Sequence, residues 1–206
     1  MFGFLRSIFG FFSKKKEMRI GIYGAPNTGK TTLASRICKD ITGEETGWSI
    51  SEVPHETRTV QKKEKVFLER EGKKINMNIL DMPGIDTKVD FEDFVRMGIN
   101  SDDAKTRAKE ATKGIVEAIK WLDQVDACLV VFDSTQLNPF NQVNVTLLGN
   151  LEAKNIPIIL VANKTDLPNA NPDRIRDAFP QYKNFVSLSA KEGSLENLYN
   201  EIVRKL

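Results

Sequence analysis

Arg19-Ile-Gly-Ile-Tyr-Gly-Ala-Pro-Asn-Thr-Gly-Lys-Thr31 is the stretch that decides the fold. Its first five residues read as a short apolar strand, Gly24 to Thr31 has the form G-x-x-x-x-G-K-[ST], and Lys30 to Asp40 continues as a helix. A strand entering a glycine-rich turn and then a helix opens an α/β unit. Gly24 and Gly29 let the backbone curl so that N–H groups of the loop formed by Ala25, Pro26, Asn27 and Thr28 point inward, and the helix N-terminus adds positive potential. Such a cradle suits phosphate, with Lys30 bridging a β- and a γ-phosphate, Thr31 offering its hydroxyl to Mg²⁺ and Thr32 continuing the set into the helix.

Outward from that stretch the rhythm of an α/β domain continues. Residues 41–60 read as a long loop, and Lys63 to Arg70 and Ile75 to Leu80 read as two strands joined tightly through Glu71-Gly-Lys-Lys74, a hairpin that makes one strand antiparallel. Residues 83–100 read as loop. Ser101 then caps a long helix whose Ala104, Ala108, Ala111, Ile115, Ala118, Ile119 and Leu122 share a face. Ala127 to Phe132 and Ile156 to Val161 are near-continuous apolar runs, expected of central strands covered on both sides. Phe140 to Ala153 reads as helix with Val143, Leu147 and Leu151 inward, Asn184 to Leu188 as a last strand, and Ser194 to Leu206 as a last helix. The expected architecture is a three-layer α/β domain over residues 18–206, its six-stranded sheet mostly parallel with one antiparallel strand and helices on both faces.

Composition narrows the class. The 206 residues are 28% charged and 40% hydrophobic, enough for one core and too polar for a membrane-spanning chain, and no apolar run reaches the roughly 18–20 residues that cross a bilayer. Thirty basic against 28 acidic residues leave a formal charge of +2, too balanced for bulk attraction to nucleic acid. Cys38 and Cys128, one in a helical and one in a strand pattern, give neither a disulfide framework nor a metal spacing, so a reducing cytosol and two core thiols are expected.

Three further segments sit at strand ends, where open α/β sheets bind ligands. Asp81-Met-Pro-Gly84 follows a buried strand, which places a carboxylate for the Mg²⁺ water shell and the Gly84 N–H for a γ-phosphate. Asn163-Lys-Thr-Asp166 offers a carboxylate that can accept from N1–H and the amino group of guanine, an amide that can reach N7 and hold neighbouring loops, and the Lys164 stem to lie over the ring. Ser189-Ala-Lys191 follows the last strand and sets the Ala190 N–H towards guanine O6.

With these four patterns in this order, residues 18–206 resemble the P-loop GTPases, in the branch that includes Era, TrmE and Der. Asn27 at the fourth loop position and Pro54-His-Glu-Thr-Arg58 select the branch. The resemblance implies a GTPase (G) domain that binds GTP and GDP, uses Mg²⁺ and hydrolyses GTP, with Thr31, Thr57 and Asp81 around the metal and with Asn27, Lys30, Thr57 and Gly84 catalytic. Thr59 competes with Thr57 for the switch role, and His55 reads as a solvated loop residue. Ile85 stands where Ras-type enzymes carry a water-orienting glutamine, so slow intrinsic hydrolysis is expected, about 10⁻⁴ to 10⁻² s⁻¹. In several members the Asn matching Asn27 helps hold a K⁺ near the phosphates. The charged segment from Ile85 to Ser101, with Asp86, Lys88, Asp90, Glu92 and Asp93, reads as a second switch or as a static loop.

Residues 1–17 differ from the rest. The first twelve hold five phenylalanines, and Arg6 with Lys14, Lys15 and Lys16 give residues 1–16 a charge of +4 against −2 for the remainder. No secretory signal or myristoylation pattern is present. As a helix, Met1, Leu5, Ile8 and Phe12 share a face, which fits an anionic membrane surface and a peripheral place on the cytoplasmic face of the cell membrane. Docking on the chain's own domain and self-association are the other readings. The resemblance carries over neither a KH-type nor a TrmE-type accessory domain, so RNA is not expected as a partner. An effector or activating protein and a nucleotide-dependent dimer are. A soluble ribosome-assembly factor and a GTP-binding scaffold with negligible turnover are the competing functions.

Overall fold

The computed structural model describes residues 17–48, 59–70, 72–86 and 89–206. The expectations placed on residues 1–16, and on Pro54, His55, Thr57, Arg58 and Lys88, lie outside them. The elements run β1 (Met18–Tyr23), α1 (Lys30–Thr42), β2 (Gln61–Arg70), β3 (Lys73–Asp81), α2 (Phe91–Arg96), α3 (Ser101–Trp121), β4 (Ala127–Asp133), α4 (Gln142–Ala153), β5 (Ile158–Asn163), α5 (Pro172–Ala178), β6 (Phe185–Ser187) and α6 (Glu196–Lys205).

One six-stranded sheet has the order β2-β3-β1-β4-β5-β6, parallel throughout except for the β2/β3 hairpin. Because β1 sits between β3 and β4, the turn after β1 lies beside the ends of both neighbours. The apolar runs of β4 and β5 are buried along nearly their whole length, as strands covered on both faces must be. Two clusters flank the sheet. Ile20, Ile22, Leu33, Ile37, Ile79, Leu198 and Ile202 pack α1 and α6 on one face; Tyr23, Leu80, Ala118, Val130, Leu147, Leu160 and Phe179 pack α3, α4 and α5 on the other. Cys38 and Cys128 are both buried free thiols.

Several local expectations need correction. Residues 83–100 contain α2, whose N-cap Asp90 accepts from the Glu92 N–H at 3.1 Å. The cap of α3 is Asn100, accepting from the Asp103 N–H at 3.0 Å, so Ser101 is its first residue. On α3, Ile119 is exposed, because the buried face runs through Ala104, Ala111, Gly114 and Ala118 and Ile119 stands at its edge. In α4 it is Asn144, donating to the Pro139 carbonyl at 2.8 Å, that is buried, while Val143 is half-buried. β2 begins two residues earlier than expected and carries a bulge at Lys65 (φ 57°), whose N–H donates to Asn78 Oδ1 at 3.1 Å.

Candidate nucleotide site

The turn between β1 and α1 is held by its own carbonyls. Lys30 Nζ and Thr28 Oγ1 both donate to the Ala25 carbonyl, at 2.7 and 3.0 Å. Gly24 (φ 149°) leaves no room for a side chain, since a Cβ there would lie 2.3 Å from the Val131 carbonyl; at Gly29 (φ 89°) it would lie 2.3 Å from Asn163 Nδ2. Asn27 adopts φ 59° and is exposed at the crest of the loop. Ala25 and Pro26 are half-buried beside it, and Thr32 is half-buried in the first turn of α1.

β3 delivers Asp81, fully buried, to this loop, where Thr31 Oγ1 donates to Asp81 Oδ2 at 2.7 Å. The chain after β3 is stitched to the loop by the Ile85 N–H, which donates to the Gly24 carbonyl at 3.1 Å, and Gly84 passes so close to Pro26 that a Cβ would meet it at 3.0 Å. Ile85 itself packs against the apolar cluster under α3 and α4, and its hydrocarbon side chain has no atom with which to orient a water. Burial pushes the pKa of the Lys30 ammonium down, Asp81 partly restores it and Lys164 opposes it further, leaving it lowered to about 8.

β5 and β6 supply the other half. Asn163 is buried and links three segments: its Nδ2 donates to the Thr28 carbonyl at 2.8 Å and its Oδ1 accepts from the Ala190 N–H at 2.8 Å. The holding role expected of Asn163 is thus visible, whereas the Ala190 N–H, expected to face a base oxygen, is engaged by Asn163 here. Ser189 Oγ accepts from the Lys191 and Glu192 N–H groups at 3.3 and 3.1 Å, folding the 189–192 turn on itself. Lys164 (φ 65°) places Nζ 2.6 Å from Asp133 Oδ2, and the Thr135 N–H and hydroxyl bond the other oxygen. Partial burial raises the Asp133 pKa, but these hydrogen bonds outweigh it and hold the carboxyl below its usual range. Asp166, Lys191 and Thr59 are exposed.

Two contributors leave no motif in the sequence. Asp133 anchors Lys164, and Arg36 on α1 reaches the far loop: its two terminal nitrogens donate to the Lys191 and Gly193 carbonyls at 3.4 and 2.9 Å, while Nε pairs with Asp40 at 2.8 Å. Tyr199 of α6 donates to Asp40 at 3.1 Å and completes the brace. Arg36→Ala should accelerate dissociation of a fluorescent GDP by roughly 5- to 20-fold, the value of about one to two exposed hydrogen bonds, and Arg36→Lys should recover only part of it because a point ammonium cannot span both carbonyls. Unchanged dissociation in both variants would show that the 189–193 turn stands without this brace.

The chain that brings these four stretches together, at the carboxyl ends of β1, β3, β5 and β6 and through the side chain of Asn163, is similar to known proteins. A family model described as "50S ribosome-binding GTPase" matches residues 19–164. The chain belongs to that family of GTPases. Within it the chain is similar to GTPase Der of Ruegeria pomeroyi, 22% identical over 205 residues, which cover 93% of this chain and 36% of Der. It is also similar to elongation factor 4 of Campylobacter hominis, 24% identical over 193 residues, 86% of this chain and 28% of that protein. Among solved structures, Aquifex aeolicus Era bound to GDP and AlF4⁻ aligns with a TM-score of 0.67 at 23% identity, covering 93% of this chain and 57% of Era. Era in complex with MgGDPNP and a 16S ribosomal RNA segment gives a TM-score of 0.68 at 22% identity, with the same coverage. The chain thus spans about a third of the length of these curated relatives and just over half of the Era chains, and the alignments support the expected P-loop GTPase fold.

Proposed function

We propose that this GTPase is a guanine-nucleotide switch that hydrolyses GTP slowly at the β1–α1 loop and reads the base with the loops after β5 and β6. The observation that carries the reading is the pair of hydrogen bonds made by Asn163, one donated and one accepted, which ties the phosphate loop to the base loops through one buried side chain. In this reading the backbone of Gly24 to Thr28, with Gly29 and Lys30, receives the phosphates. Asp166 selects guanine through two accepted hydrogen bonds, and Ala190 turns its N–H from Asn163 to the base or shares it. Thr31 and Asp81, touching at 2.7 Å beside the loop, form an all-oxygen pair that suits Mg²⁺ and would hold it directly or through its water. Bound there, Mg²⁺ would neutralise charge on the phosphate oxygens. Thr57 remains the proposed switch threonine.

The exposed crest position of Asn27, together with the apolar seat of Ile85, supports a monovalent cation as the substitute for a missing charge. Phosphate release under multiple turnover should therefore be faster in KCl than in NaCl at equal ionic strength, and Asn27→Ala should erase most of the difference. Equal rates in the two salts would exclude a role for K⁺.

Two cellular settings extend the reading. The family description and the Era complex support a task on a ribonucleoprotein particle such as the ribosome. Residues 1–17, by their phenylalanines and lysines, support a peripheral hold on an anionic, cytoplasm-facing membrane as a segment separate from the G domain of 18–206. Four cations at about 1 kcal/mol each plus partial insertion of several apolar side chains predict micromolar, salt-sensitive binding. Liposome flotation should carry the full-length chain with anionic vesicles and leave a chain starting at Glu17 in the soluble fraction; equal behaviour of the two would retire the membrane setting.

A further inference from the structure

α3 carries a surface that the nucleotide site does not use. Lys105, Lys109, Lys113, Val116 and Lys120 follow at intervals of 4, 4, 3 and 4 residues, so they fall on one line along the helix, directly opposite the buried Ala104, Ala111 and Ala118. At about 1.5 Å per residue the line is about 22 Å long. All five side chains are exposed, and Ile119 beside them is exposed to 49%. Some exposed lysines elsewhere have carboxylate partners, as in Lys39–Glu45, Lys62–Glu64 and Lys74–Glu69, while Lys65, Lys183, Lys191 and Lys205 are scattered and have none among the described residues. Among the described residues, no ion pair engages Lys109, Lys113 or Lys120. Lys105, at the helix start, has a 3.7 Å approach to Asp102 and lies 5.9 Å from the centre of the Phe91 ring.

We infer that this lysine line is a docking surface for the phosphate backbone of an RNA strand. The inference rests on the ribonucleoprotein reading above and names the face that would carry it. A row of cations about 6 Å apart from Lys105 to Lys113, and about 10 Å from there to Lys120, suits a linear polyanion, and such contacts bind without regard to base sequence. A flat anionic membrane fits less well: Glu110 and Glu117 lie along one flank of the line and would be pressed against the same surface, and Val116 and Ile119 are the only large apolar side chains that α3 exposes. α3 also packs against α2, whose Asp93 and Phe94, with Met97 just after it, line a cleft shared with Ala25, Pro26 and Asn27. RNA at the line and nucleotide at the loop therefore bear on adjacent helices.

The test compares full-length wild type with K109Q/K113Q/K120Q, in which Gln preserves helix propensity. Fluorescence anisotropy with a labelled mixed-sequence single-stranded RNA of about 20 nucleotides would be read across a salt series. Each lost phosphate contact removes about 0.7 from the slope of log K against log salt, so the triple variant should lower the slope by about 2 and bind roughly tenfold or more weakly at low salt. Residues 1–16 are present in both proteins, so their lysines cancel. Equal affinity and slope, or no RNA binding by wild type, overturns the proposal. So does a variant that keeps RNA but loses phosphatidylserine vesicles. Phosphate release from GTP, measured on the same samples, separates the outcomes: intact turnover without a lysine effect sinks the docking surface alone, whereas absent turnover in wild type sinks the GTPase reading itself.

Discussion

Lys30→Ala should lower affinity for GDP and GTP by about 100- to 10⁴-fold, the worth of roughly two charge-assisted hydrogen bonds to phosphate. The nucleotide-free fold should survive. Burial already disfavours the Lys30 cation, as its lowered pKa of about 8 shows, so deletion removes a charge that the empty loop accommodates at a cost. Among the described residues Lys30 serves the Ala25 carbonyl, which keeps the hydroxyl of Thr28 at 3.0 Å as a donor. Thermal unfolding without nucleotide should therefore hardly change, while the upward shift produced by added GDP should vanish. A variant that retains GDP affinity within twofold would mean that the phosphates lie somewhere other than this loop.

Asp166→Asn should exchange base preference. The carboxylate stands exposed just after β5 and makes no ion pair among the described residues, so the substitution should act on the ligand alone. Losing one charge-assisted hydrogen bond costs about 1.5 to 3 kcal/mol, which is roughly 10- to 150-fold in GTP affinity. Xanthosine triphosphate, which presents an acceptor where guanine presents its amino donor, should gain over the same substitution. The measurement is competition of each triphosphate against a fluorescent GDP, and an unchanged ratio would detach Asp166 from the base.

Much of this geometry is legible in the sequence because it is local. The phosphate loop, the carboxylate ending β3 and the segments after β5 and β6 are each short runs whose chemistry and strand-end position travel together along the chain. The long apolar strands β4 and β5 are equally plain, since burial on both faces leaves no alternation to misread. What escapes is non-local or too short. α2 has six residues, fewer than two turns, so it shows no periodicity and depends on the Asp90 cap and on packing against α3. Arg36 braces carbonyls more than 150 residues away, and Lys164 meets Asp133 from the neighbouring strand. Neither pairing leaves a trace in spacing. The apolar pattern points Ile119 inward, and only the observed burial of Ala104, Ala111, Gly114 and Ala118 shows that the face is centred away from it. Net charge argues against RNA, yet it averages away a line of lysines on one helix, three of which have no ion pair among the described residues.

Guanine reading is tested most directly by the affinity of wild-type, nucleotide-free protein for GTP and for ATP in the presence of Mg²⁺, each by displacement of fluorescent GDP. Displacement by GTP is expected, with at least tenfold weaker displacement by ATP, whose base lacks the paired donors that Asp166 would bind. Equal displacement by the two nucleotides would contradict it.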